Sequence, residues 1–282
     1  MGTVYSNLKF LRFGDRLDAI SERRVVAPVH IRLKPTNHCN HDCWYCCYRA
    51  ENLILGQDMV ETDSIPEAKI HEIADDLVEM GVKAVTFSGG GEPLIYRPLP
   101  GVVERLAKGG VKVAALTNGV NLKNQMADVF AEHATWIRIS IDGWDDASYM
   151  AARRAAAGDF GRVLDNIRAF AERGSKCALG VSFIITRENH TRTVDLCRLM
   201  KDAGVNHVKL YGVIVGNDGR SNNQYHVGIA DEVQDQIERA KSLEGDGFSI
   251  VDHYHEMEKR FDKAYKTCPF LQFQTVIGAD CQ

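Results

Sequence analysis

The sequence predicts an α/β fold, a partial (β/α)6 barrel of TIM-like type with a short C-terminal extension. Three observations predict it. From residue 29 onward, short Val- and Ile-rich runs alternate with longer segments of helical period, as βα units of a parallel sheet do. The runs are nearly continuous in apolar residues, the pattern of strands covered on both faces. Each polar or glycine-rich anomaly, at residues 34–47, 88–93, 117–119, 140–143 and 186–189, follows the end of a run, where a barrel gathers its chemistry. A flat, doubly wound sheet is the alternative.

Residues 1–28 form an N-terminal extension, and residues 29–216 the barrel core. Its six strand candidates are residues 29–33, 82–87, 111–116, 136–141, 179–185 and 207–215. The helix before the second strand is marked by Ile70, Ile73, Leu77 and Met80 at three- and four-residue spacing, with Pro66 at its start and Gly81 beyond its end. Phe160, Val163, Leu164, Ile167 and Phe170 form a second apolar stripe ending at Gly174. Val194, Cys197, Leu199 and Met200 form a third, ending near Gly204. All three stripes read as core. After Gly216 the run GNDGRSNNQYH interrupts the pattern, and a last helix at 229–243 opens a connecting segment to residue 267. Residues 268–282 end on a strand-and-turn pattern, TVIGADCQ, that reads as a break inside a further domain.

The 282 residues, 45% hydrophobic and 26% charged, suit a globular chain able to bury a sizeable core, and exclude disorder and fibrous repeats. A formal charge of −4 offers no cationic field for nucleic acid or anionic lipid. The sequence has no apolar run of membrane-spanning length, and its start is too charged for a signal peptide, so a cytoplasmic location is expected.

The eight cysteines carry the most information, because four of them fall within residues 39–47. At this cysteine content, Cys39, Cys43 and Cys46 in the order C-x3-C-x2-C arise by chance about 0.006 times. A structural zinc site wants four ligands, whereas three thiolates can hold three irons of a cubane and leave the fourth open to a cosubstrate. Cys47 reads as a bystander; were it a fourth ligand, the loop would be a non-catalytic zinc or electron-transfer module. Cys177 and Cys197 read as small buried hydrophobes. His253, Tyr254, His255 and Glu256 offer a metal or acid–base site, or a satisfied surface group. Gly89–Gly91 lack the G-x-G-x-x-G or lysine-containing pattern of a phosphate loop.

The run Cys39-Asn-His-Asp-Cys43-Trp-Tyr45-Cys46 resembles the signature of the radical S-adenosylmethionine superfamily, and further segments match it in order across residues 29–215. The resemblance implies a 4Fe-4S cluster on the three cysteines and S-adenosylmethionine at the open iron, with Tyr45 beside the adenine. Ser88 to Pro93 resemble the family's glycine–glutamate motif, so Gly89, Gly90, Gly91 and Glu92 are expected at the methionine amino group; glycines bare backbone carbonyls to an ammonium. Asn118, in the turn Thr117-Asn118-Gly119, is expected near the cosubstrate. Ser140 and Asp142, on one side of a strand by period two, are expected at the ribose and methionine. Arg153 or Arg154 stands where relatives pair a guanidinium with the methionine carboxylate. Ser182 and Asn189 are further lining candidates. Residues 268–280 resemble the start of a SPASM or twitch extension, so Cys268 and Cys281 are candidates for a second iron–sulfur cluster. Cys281 departs from that pattern by following Asp280 directly.

The implied activity is reductive cleavage of S-adenosylmethionine to a 5'-deoxyadenosyl radical, which abstracts hydrogen from an unactivated C–H. The cofactors carry that chemistry, so no acid–base pair need be found. The expected outcome is oxidation or epimerisation of a small polar substrate of sugar, aminocyclitol or nucleoside type, because residues 1–28 leave no room for a peptide-recognition domain. A peptide-modifying maturase is the alternative. The chemistry also implies a reducing partner such as a flavodoxin or ferredoxin.

Overall fold

The protein is described by a computed structural model over residues 8–254 and 268–281. Eight strands form one sheet: β1 (His30–Leu33), β2 (Ala84–Phe87), β3 (Lys112–Thr117), β4 (Ala134–Ser140), β5 (Ala178–Ile185), β6 (His207–Gly212), β7 (Ser249–His253) and β8 (Gln274–Ile277). Their order is β7-β6-β5-β4-β3-β2-β1-β8, and every pair of neighbours is parallel. Sequential strands are therefore adjacent from β1 to β7, the topology of a partial barrel. No ladder joins β7 to β8 among the described residues, so the sheet stays open.

Helices α2 (Glu67–Glu79), α3 (Leu99–Lys108), α4 (Asn124–His133), α5 (Asp146–Arg153), α6 (Asp159–Ala171), α7 (Thr193–Asp202), α8 (Gly219–Val227) and α9 (Ala230–Lys241) supply the crossovers, and α1 (Gly14–Ser21) precedes the sheet. Ile31, Leu33, Val85, Phe87, Val113, Ile137, Ile139, Val181, Phe183, Val208 and Leu210 are buried in one core with the helix stripes. Each such side chain contributes about 1.5–3 kcal/mol on full burial. The alternate strand positions carry Arg32, Thr86, Arg138, Ser140, Ser182 and Lys209. The face the helices cover is thus apolar, while the other mixes these polar groups with Ala114, Leu116, Trp136, Ile184 and Tyr211, unlike a sheet apolar on both sides.

The six expected strands are present as β1–β6 with ends shifted by at most three residues, and the sheet is longer by one strand at each edge. β8 comes from the stretch expected to open an auxiliary region. Its ladder continues as His30 N to Phe273 O (2.8 Å) and Lys34 N to Ile277 O (2.9 Å), which satisfies an edge of β1 that would otherwise stay unpaired. The interruption after Gly216 holds a helix, α8. The Asp218 carboxylate caps it by accepting from Ser221 N and Oγ (both 2.8 Å), and the buried Asn222 amide ties it back to Val215 N (2.7 Å) and Gly216 O (2.8 Å). Among the described residues no helix is long and apolar enough to cross a membrane.

Candidate active site

The segment after β1 carries Cys39, Cys43, Cys46 and Cys47 over the C-terminal end of the sheet. Its start is tied down by Asn37 N to Asp63 O (2.8 Å) and Asn37 Nδ2 to Val60 O (2.9 Å), its end by Cys46 N to Cys43 O (3.0 Å) and Ala50 N to Cys46 O (2.8 Å). The glycine loop after β2 is laid directly on it. Gly91 N donates to Thr36 O (3.0 Å) and Glu92 N to His38 O (2.8 Å). A Cβ on Gly91 would stand 1.9 Å from His38 O, and Gly90 adopts φ +68° with space for a Cβ taken by Asn37 Oδ1 at 2.2 Å. The close approach of these two loops is therefore what requires glycine. Cys39 lines an open cleft of about 580 Å³ with Thr36, His38, Asn40, Tyr96 and Arg97.

Glu92 is buried, and its carboxylate accepts from Leu94 N (2.9 Å), Thr117 Oγ1 (2.5 Å) and Asn118 N (2.6 Å). Burial pushes its pKa up, and the three hydrogen bonds oppose that rise. The side chain expected at a ligand's amino group is a strut between the ends of β2 and β3. Asn118 extends the strut by donating from Nδ2 to Asn40 Oδ1 (2.7 Å), inside the cysteine segment.

Asp142 joins the other side. Its carboxylate accepts from the Tyr45 hydroxyl (2.5 Å), from Ile184 N (2.7 Å) and from Arg153 Nη1. Tyr45, Asp142 and Arg153 are all buried together, and burial and the Asp142 charge push the Tyr45 pKa well up. Between the two arginines the structure turns Arg153 inward; Arg154, at φ +46° where α5 ends, is exposed and pairs with Asp42 Oδ2 at 2.9 Å. Arg153 continues to the cysteine segment, with Nε donating to His41 Nδ1 (3.4 Å), and His41 Nε2 meets Asp159 Oδ2 at 3.3 Å. Burial pushes the His41 pKa down to about 4, and Arg153 adds to the fall.

Ser140 and Ser182 face each other across β4 and β5, with hydroxyls 3.3 Å apart. Asn189 is spent internally: Nδ2 donates to Ile184 O (2.9 Å) and Asp142 O (3.3 Å), and Oδ1 accepts from Thr186 N (2.7 Å). Cys47 is half-buried near Lys34 and Arg32. Cys177 and Cys197 are buried, and burial raises each thiol to about 12. Cys268 and Cys281 are exposed, one ahead of β8 and the other beyond its far end. Tyr254 donates to His226 Nδ1 (3.0 Å), while His255 and Glu256 lie outside the described residues.

Sequence reasoning missed His41, Asp159 and Asn40, and placed Thr117 in the strand-end turn without its bond to Glu92. His41 could have been suspected from its place between two cysteines. Asp159 looks like any acid in a first helical turn, and nothing local marks Asn40.

A three-thiolate iron–sulfur cluster fits these residues. Cys39 lies within electrostatic reach of Glu92 and Cys43, and Cys43 of Arg153, Asp142 and Cys46, so the thiols and the expected cosubstrate residues converge. Burial raises Cys39 to about 11 and pushes Cys43 upward, so the metal-free thiols stay protonated, and a bound cation such as iron would displace their protons. Among the described residues no three His, Cys, Asp or Glu side chains are set to hold a single metal ion.

Comparison with known proteins agrees. The chain is 30% identical over 221 residues to a pre-heme d1 synthase of Dinoroseobacter shibae, covering 76% of this chain and 52% of that protein. It is 24% identical over 208 residues to a probable GTP 3',8-cyclase of Metallosphaera sedula, covering 73% and 62%. The chain thus spans about half to three fifths of these relatives' length. The structure resembles SuiB of Streptococcus suis bound to the precursor peptide SuiA, with TM-score 0.65, 13% identity, 98% of this chain and 64% of that one. It also resembles native anSMEcpe with bound AdoMet, with TM-score 0.61, 14% identity, 90% and 72%. These likenesses show the fold. The family described as the Radical SAM superfamily matches residues 33–200, more than half of the chain, from the last residue of β1 through most of α7. With the cysteine loop, the glycine loop and the Asp142 centre all inside that span, the chain belongs to the Radical SAM superfamily.

Proposed function

We propose that the protein cleaves S-adenosylmethionine reductively and uses the radical to oxidise or epimerise a small polar substrate. The convergence of Cys39, Cys43 and Cys46 with Glu92, Asp142 and Arg153 at one end of the sheet carries this reading. Cys39, Cys43 and Cys46 would hold a 4Fe-4S cluster. Bound there, that cluster supplies the electron that splits the sulfonium into methionine and a 5'-deoxyadenosyl radical.

The chain's own contribution is orientation and exclusion of water. The ring of Tyr45 is fixed beside the loop by its bond to Asp142, which presents a rigid face for an adenine. Arg153 is the guanidinium for the methionine carboxylate, held in place by Asp142. Ser140 and Ser182 offer hydroxyls to ribose or substrate. Gly89, Gly90 and Gly91 bring backbone carbonyls to the amino group, and Glu92 and Asn118 hold those loops together.

The sheet face that carries Arg32, Arg138 and Lys209 offers cationic groups to a polar substrate. Two relatives also bear small-molecule names, a pre-heme d1 synthase and a GTP 3',8-cyclase. The reducing partner is a flavodoxin or ferredoxin. A SPASM-like second cluster would draw on one of the exposed thiols Cys268 and Cys281, which stand at opposite ends of β8.

Anaerobic reconstitution with iron and sulfide, reduction, and addition of S-adenosylmethionine tests the proposal through 5'-deoxyadenosine and iron per chain. Release of 5'-deoxyadenosine with about four irons supports one cluster, and with about eight irons two. Bound zinc without cleavage overturns the enzyme reading in favour of a metal module.

A further inference from the structure

We propose that His41 and Asp159 are positioning residues for the three-cysteine loop. The buried chain Asp142–Arg153–His41–Asp159 anchors the segment between Cys39 and Cys43 to α5 and α6. The inference rests on the reading that this loop carries the cluster.

His41 lies midway between two of the three cysteines, and its side chain points away from solvent into the helices. Nδ1 accepts from Arg153 Nε at 3.4 Å, which leaves the ring proton on Nε2 to donate to Asp159 Oδ2 at 3.3 Å. The other Asp159 oxygen is taken by Arg162. The ring also meets Tyr149 edge-on, with centroids 5.7 Å apart and planes at 81°. On the backbone, Asp42 N donates to Arg153 O at 3.1 Å. Two side-chain links and one main-chain link thus fasten the consecutive loop residues His41 and Asp42 to the end of α5 and the start of α6.

Such a chain is a poor device for stability alone. Burying charged and polar groups costs about as much as their mutual attraction returns, and apolar replacements of a whole buried network are often neutral or stabilising. What a fully satisfied network provides is one orientation. Here the oriented object is the peptide that presents Cys43, whose thiol feels both Arg153 and Asp142. The network reaches the loop from the Asp142 centre, so the placement of the thiols and of the cosubstrate groups is mechanically one unit. The exposed Arg154–Asp42 pair touches the same segment and lacks this rigidity.

The test compares reconstituted full-length variants by iron per chain and by the change that S-adenosylmethionine makes in the EPR signal of the reduced cluster. It also measures KM for S-adenosylmethionine separately from kcat. His41→Leu and Asp159→Leu are expected to lose at least half of the iron or the cosubstrate-induced EPR shift, with KM raised tenfold or more. Asp159→Asn keeps an acceptor for His41 and is expected within twofold of wild type. His41→Gln keeps the donor to Asp159 but not the acceptor for Arg153, and is expected to raise KM about threefold; it decides the matter should the Leu variants not fold. Arg154→Ala is expected to match wild type. Wild-type iron, EPR shift and KM in both Leu variants, or in His41→Gln where those do not fold, overturn the inference and leave the proposed function standing. A wild-type chain that takes up no iron overturns the cluster reading itself and this inference with it.

Discussion

Arg153 and Arg154 are sequence neighbours with carboxylate partners in opposite environments, so they allow a direct test of what burial does to an ion pair. The Arg153–Asp142 side chains are 8% and 0% exposed, whereas those of Arg154 and Asp42 are 59% and 54% exposed. Asp142→Asn leaves Arg153 buried beside the neutral His41 ring and the Tyr149 ring without the carboxylate that pairs with it, and removing one member of a buried pair costs about 3–5 kcal/mol. Arg154→Ala removes a screened surface pair that contributes about 0–1 kcal/mol. Converted at about 2–4 °C per kcal/mol for a domain of this size, Asp142→Asn lowers the melting temperature by about 6–20 °C, while Arg154→Ala lowers it by at most about 4 °C. Arg153→Met strands the Asp142 carboxylate with the Tyr45 hydroxyl and Ile184 N and is expected to cost a similar amount. Because both single changes break the same pair, the double variant Asp142→Asn/Arg153→Met should be well short of additive. Thermal unfolding of the cluster-free chain followed by circular dichroism measures all four. Equal shifts in Asp142→Asn and Arg154→Ala, or additive costs in the double variant, would refute the reasoning.

Three further outcomes are expected. Cys39→Ala, Cys43→Ala and Cys46→Ala each lose most of the iron and all 5'-deoxyadenosine, while Cys47→Ala keeps both, as iron assay and product chromatography will show; loss of iron in Cys47→Ala would restore the four-cysteine module. Gly91→Ala forces a methyl to 1.9 Å from His38 O and should destabilise the chain by about 1–3 kcal/mol, read as a lowered melting temperature. His207 is held neutral, its pKa pushed from 6.5 down to about 4 by burial first and by the charges of Arg138 and Lys209. The unfolded chain therefore binds the extra proton first, so this contribution of up to about 3 kcal/mol is intact above pH 6.5 and is lost as the pH falls toward 4. His207→Gln should flatten the fall in urea midpoint between pH 7 and pH 5.

The legible parts of the site were those in which chemistry and spacing are local. Three cysteines within eight residues need no tertiary information to be recognised as a ligand set, and the glycine triplet with Glu92 stood out at a strand end. The roles were less legible than the places. Glu92 carries the right functional group for an ammonium, yet its partners Thr117 and Asn118 lie on the next strand end, and only the structure shows the carboxylate committed to them. The Asn189 amide is likewise committed, bonded within its own loop and to Asp142 O. The choice between Arg153 and Arg154 turned on the phase of a short helix and the left-handed residue that ends it, a difference of one residue that no periodicity over eight residues resolves.

By itself the sequence determined the alternation of β1 through β6 with their helices, the position of every anomaly at a strand end, and the three-cysteine motif, because each depends on patterns shorter than about 20 residues. The tertiary structure decided what requires contacts between distant segments. It placed β8 beside β1 across more than 240 residues, gathered charged and hydroxyl side chains on one face of the sheet, and joined Tyr45, Asp142, Arg153, His41 and Asp159 into one buried network. The physical reason is that hydrophobic period and turn chemistry act along the chain. The pairing of a buried charge or an open strand edge is settled by whichever group the finished fold brings within hydrogen-bonding distance.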